Sequence, residues 1–95
     1  MSGADDSRVE VLFEGHVQGV GFRYTVQHIA RSFAVTGFVR NLPDGRVALT
    51  AEGEKSELKS FVDHIRSGPL RKYIYHHSEK WSNAQGSFHS FKIAY

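Results

Sequence analysis

Three glycines within seven residues, Gly15, Gly19 and Gly21, separate a strand pattern from a helix pattern and fix where this chain must turn. Upstream, Val9, Val11 and Phe13 alternate with Glu10 and Glu14, the period of a half-buried strand. Downstream, Phe22, Val26, Ile29, Ala30 and Phe33 fall on one side of a helix. Glycine reaches left-handed backbone angles without the steric cost that other residues bear, so several N–H groups of the loop can turn toward one point. That point lies at a helix N-terminus, where the peptide dipoles leave partial positive charge. Arg23 adds a planar, permanently charged fork. The stretch Gly15-His16-Val17-Gln18-Gly19-Val20-Gly21-Phe22-Arg23 is therefore shaped to hold a phosphate-like dianion. A glycine loop alone is a weak signal, since many strand-to-helix turns need one. No Gly-Lys-Ser/Thr follows, which excludes a Walker loop. The glycine spacing and the lack of an acidic residue ending the next strand argue against a dinucleotide fingerprint.

The remaining periodicity places this loop in a fold. A first strand over residues 8–15 leads through the loop into a helix over 22–34. A β-rich strand over 35–42 follows, then the turn signal Pro43-Asp44-Gly45. In the third strand Val47, Leu49 and Ala51 share one face, with Arg46, Thr50 and Glu52 on the other. Leu58, Phe61, Val62 and Ile65 form the stripe of a second helix, with Glu54 and Glu57 in its first turn and Gly68-Pro69 as its stop. Residues 73–77 read as a strand, 78–87 as a loop containing Trp81, and 88–95 as a last alternating strand. The order βαββαβ with one additional late edge strand predicts an α+β, ferredoxin-like sandwich: an antiparallel sheet with two helices on one face. Right-handed crossovers put the third strand between the first and second. The ends of those two strands then share one sheet edge, two inter-strand steps or roughly 10 Å apart. Asn41 stands at the end of the second strand. An asparagine beside Pro-Asp-Gly commonly serves only its own turn, but this topology makes it a neighbour of the glycine loop, 18 positions away in sequence.

Composition narrows the chemistry. The 95 residues support one domain, read as residues 8–95 behind a polar, disordered lead-in over 1–7. No cysteine is present, which excludes disulfides, thiolate nucleophiles and cysteine-ligated zinc. A net charge of +2 is too small to argue for a polyanion and suits a small anion. No apolar run is long enough to span a membrane, and residues 1–7 lack the layout of a signal peptide, so a cytoplasmic monomer without membrane contacts is expected. The six histidines do not suggest a metal: His76 and His77 point to opposite faces of a strand, and His28 and His64 lie on separate helices. The same fold serves RNA-recognition modules, but Val47-Ala48-Leu49-Thr50-Ala51 lacks the aromatics that would stack bases, so no nucleic-acid partner is expected.

With these residues in hand, the chain resembles the acylphosphatase family. That family's signature Gly-x-Val-Gln-Gly-Val-x-Phe-Arg is matched by Gly15 through Arg23 at every fixed position. Its second signature is matched by Gly37-Phe38-Val39-Arg40-Asn41 followed by Gly45, Val47 and Gly53. The likeness runs from about Val9 to Gly68 and resumes over 88–95, while residues 69–87 depart from it. The resemblance implies hydrolysis of the carboxyl–phosphate bond of acyl phosphates without a cofactor or metal, with inorganic phosphate as product and inhibitor. It implies that Arg23 and Asn41 are catalytic, and that His16, Val17, Gln18, Gly19, Val20, Gly21, Phe22 and Arg23 bind the phosphate. Asn41 would orient the attacking water. The alternative is a non-catalytic or regulatory domain that binds phosphate or carbamoyl phosphate through the same cradle.

Overall fold

The computed structural model describes residues 6–95. Its elements run β1 (Asp6–Gly15), α1 (Phe22–Ala30), β2 (Val35–Asn41), β3 (Val47–Glu54), α2 (Lys55–Ser67), β4 (Ile74–Asn83) and β5 (Phe91–Ile93), with a short 3-10 turn over Arg71–Tyr73. The sheet order is β4-β1-β3-β2-β5. As expected, β3 lies between β1 and β2 and runs antiparallel to both. Alternate residues of these strands, including Val9, Val11, Phe13, Val39, Val47 and Leu49, are fully buried. They share the core with Phe22 and Val26 of α1 and with Leu58, Phe61 and Ile65 of α2. Burial of each such side chain is worth about 1.5–3 kcal/mol relative to exposure.

The sheet pairing and three element boundaries differ from the sequence reading. The sheet is mixed and not purely antiparallel, because β5 pairs parallel with β2. The extra strand thus sits on the edge opposite β4. Residues 78–83, expected as loop, belong to β4 and pair with β1 from Leu12↔Ser78 to Ser7↔Asn83. Only Ile74, His77 and Trp81 of this edge strand are even half-buried, so its hydrophobicity carries no period of two. Trp81 does pack at the border of the core, and its indole N–H donates to Glu79 Oε1 at 3.0 Å. Helix α1 stops at Ala30 and not Ala34: the N–H groups of Ser32 and Phe33 reach back three residues, to Ile29 and Ala30. This tightened turn lays Phe33 against Phe61, 5.8 Å between ring centres. Finally, the last strand is confined to Phe91–Ile93. Of the lead-in expected over residues 1–7, residues 1–5 lie outside the described part, and Asp6 and Ser7 already belong to β1.

Candidate active site

Strand register brings the site together. Phe13 of β1 and Asn41 of β2 both pair with Val47 of β3, so the glycine loop leaves the sheet two strands from Asn41. Between Glu14 and Gly15 the pairing of β1 with β4 slips, and the chain turns out of the sheet there. Gly19 and Gly21 hold φ of +79° and +75°. Both face open space, so their requirement is backbone conformation and not room. Gly21 is the residue before the first turn of α1, and no side chain caps that turn. Thr25 N–H closes the first helical bond to Gly21 at 2.9 Å. Among the described residues, no hydrogen bond to protein engages the N–H groups of residues 17–24. The loop and helix start thus present a run of unspent donors.

Two contacts fix this run against its surroundings. Phe22 is buried against Phe13, 5.4 Å between centres, which anchors the helix start in the core. The Gln18 amide Nε2 donates to the carbonyls of Leu42 at 2.8 Å and Arg46 at 2.9 Å. Those carbonyls flank the β2–β3 turn, so one side chain ties the loop to the turn that follows Asn41. The turn is itself braced: Asp44 accepts from Arg46 N–H at 3.0 Å and from Arg46 Nε at 2.8 Å. The backbone N–H of Arg46, aided by its guanidinium, holds the Asp44 carboxyl below its ordinary range despite some desolvation.

A cavity of about 140 Å³ opens between the loop and Asn41. Val17, Gly19, Gly21, Phe22, Arg23 and Asn41 of the expected residues line it. His16, Gln18 and Val20 do not. The His16 ring stands edge-on to Tyr75 at 5.4 Å, and Gln18 is turned to the hairpin. Tyr24, Ile93 and Tyr95 complete the wall, and sequence reasoning missed all three. Tyr24 adjoins Arg23, and adjacency alone could have suggested it. Ile93 and Tyr95 arrive through the β2–β5 pairing, which no local pattern announces. Arg23 is the only charged side chain among the wall residues. Its guanidinium lies over the Tyr95 ring at 5.0 Å, within the range of a cation–π contact. Asn41 Oδ1 is buried without a hydrogen-bond partner among the described residues. The arrangement can therefore hold a dianion by amides and one guanidinium, with Asn41 on the wall of the same cavity.

Comparisons with known proteins point to one family. A family profile described as Acylphosphatase matches residues 9–93. An acylphosphatase of Archaeoglobus fulgidus is 39% identical over 87 residues, covering 92% of this chain and 97% of the relative. One from Salinibacter ruber is 38% identical over 93 residues, 98% of each chain. The crystal structure of acylphosphatase from Bacillus subtilis superposes with a TM-score of 0.86 at 37% identity, covering 94% of this chain and 99% of that one.

Proposed function

We propose that this chain, which belongs to the acylphosphatase family and hydrolyses the carboxyl–phosphate bond of acyl phosphates, grips the phosphoryl group with Arg23 and the loop amides and directs water with Asn41. The observation that supports the division of labour is that Arg23, the glycine loop and Asn41 line one cavity although they come from the ends of different strands. A water that donates one hydrogen to Oδ1 has its lone pair free to face phosphorus. The P–O bond to the acyl group breaks as the new P–O bond forms, and the acyl oxygen leaves as a carboxylate. That leaving group is a weak base, so no general acid is needed. Both hydrogens of the attacking water stay with the phosphate, which leaves as the monoanion. Phosphoryl transfer through a loose transition state asks mainly for positioning and charge stabilisation. Preorganised N–H donors and a fixed guanidinium provide both.

Within this reading the N–H groups of Val17 through Phe22 line the cradle, and the side chains of His16, Gln18 and Val20 contribute by shaping the loop. The acyl end of the substrate lies outward, past Tyr24 and Tyr95. A domain that binds without turnover is not favoured, because the family profile and the relatives it matches are those of acylphosphatases. We place the protein as a monomer in the cytoplasm; among the described residues no helix is long and apolar enough to cross a membrane.

The test is hydrolysis of benzoyl phosphate in excess EDTA, with inorganic phosphate as competitive inhibitor, for the parent and Arg23→Gln. Turnover by the parent and a phosphate Ki raised at least tenfold in the variant are expected. A folded variant with unchanged Ki would remove Arg23 from the cradle.

A further inference from the structure

We infer that Glu52, at the far end of the sheet from the cavity, is a positioning residue for Arg23. Glu52 faces away from the helices, yet among the described residues it is the one charged side chain that is buried. Its carboxylate accepts three bonds: from Arg8 Nε at 2.8 Å, from Gln85 N–H at 2.9 Å and from Gly86 N–H at 3.0 Å. Two of these donors belong to residues 84–90, the irregular segment that links β4 on one sheet edge to β5 on the other. A buried carboxylate with a guanidinium and two main-chain donors is a costly feature to keep on an otherwise solvent-facing side of a sheet. Here it clamps a crossing.

What the clamp holds can be followed residue by residue. Ala84 N–H bonds Asp6 O, and Phe88 lies under the Arg8 guanidinium at 5.4 Å and edge-on to Phe38 at 5.8 Å. Gly37 N–H then takes Ser90 O, β5 runs beside β2 toward the cavity, and Ala94 N–H closes on Val39 O at 2.9 Å. The next residue is Tyr95, whose ring meets the Arg23 guanidinium. Glu52 pairs with Thr36 at one end of β2, and Asn41 pairs with Val47 at the other, five residues along β3, or about 16 Å. The three-residue β5 is held by Phe91 and Ile93 against the core and by Ala94 on Val39. The clamp at its origin sets where the chain enters this pairing, and so how the fully exposed Tyr95 ring is delivered to Arg23.

This inference rests on the reading that Arg23 grips the phosphoryl group, and the experiment separates the two. Glu52→Gln keeps shape but loses the charge and can accept at only one oxygen. At a temperature where circular dichroism shows it folded, its phosphate Ki and its KM for benzoyl phosphate should rise together about fivefold, with kcat within twofold, since Asn41 is held by β3. Tyr95→Leu should give the same split, and the double variant no more than either alone. A second variant with Gly-Gly inserted after Ser87 leaves Glu52 and its partners in place and slackens only the crossing. It should raise Ki equally. Unchanged Ki in both Glu52→Gln and the insertion, with lowered thermal stability, would make Glu52 purely structural and overturn the inference. So would multiplicative effects in the double variant. If Arg23→Gln itself left Ki unchanged, the reading of the cradle would fail before that of the clamp.

Discussion

Asn41→Ala should be nearly inactive at almost unchanged stability. The deleted group is an amide and not an apolar one, and the space it leaves adds to a cavity that already exists, so little new void is made in the core. Asparagine and alanine are both poor strand formers, so the backbone preference nearly cancels. Stability is expected to stay within about 1 kcal/mol, which for a domain of this size keeps Tm within about 4–8 °C. Turnover should fall by about 10²–10³, the usual loss when one preorganised hydrogen-bonding group is removed from a transition state. Phosphate Ki should stay within twofold, since the donors are untouched. Calorimetry, steady-state kinetics and phosphate inhibition on one preparation test all three. A variant less stable than the parent by about 2 kcal/mol or more would show that Asn41 holds the strand end in place, and the assignment of a purely catalytic role would be refuted. Retained turnover would refute the assignment of the water.

Two further outcomes are expected. Gly21→Ala places a side chain at φ +75° in open space, so backbone strain alone should lower stability by about 1–2 kcal/mol, readable by urea unfolding; Gly21→Asn should recover part of that loss, and equal loss in both would refute a purely conformational cause. For Glu52, burial pushes the carboxyl up, but Gln85 N–H, the Arg8 guanidinium and Gly86 N–H together outweigh it and leave it below its ordinary range. A lowered folded-state value contributes stability that is complete above the unfolded glutamate value, about 4.3, and is lost as pH falls through the folded one. The Tm gap between the parent and Glu52→Gln should hold steady above about pH 5 and narrow in more acidic buffer. A gap that stays constant down to pH 3 would refute a role for the charge.

How much was legible in the sequence depends on whether a feature is written locally. The glycine loop, the apolar stripes of α1 and α2 and the alternation of β1 and β3 are local, and each stands where its pattern puts it. The nearness of Asn41 to the loop is not local, yet strand order and crossover handedness leave few other arrangements. By contrast, β4 was hidden beyond His77 because an edge strand with one half-covered face needs no hydrophobic period. The parallel docking of β5, the meeting of Tyr95 with Arg23, and the grip of Glu52 on Gln85 and Gly86 span 33 to 72 positions, and nothing near either partner encodes them. His16 and Gln18 share the loop with true wall residues, and only the path of the backbone turns their side chains elsewhere.

The Gln18 side chain has a dynamic consequence. By bonding the carbonyls on both flanks of the β2–β3 turn, it joins two segments that would otherwise fluctuate independently. The Arg46 carbonyl also receives Leu42 N–H, so fraying of the hairpin and release of the loop draw on the same acceptor. Loop and hairpin should open as one cooperative unit. Amide exchange at Leu42 then becomes a reporter on the phosphate site, and a bound phosphate that quiets the loop should slow exchange in a turn it never touches.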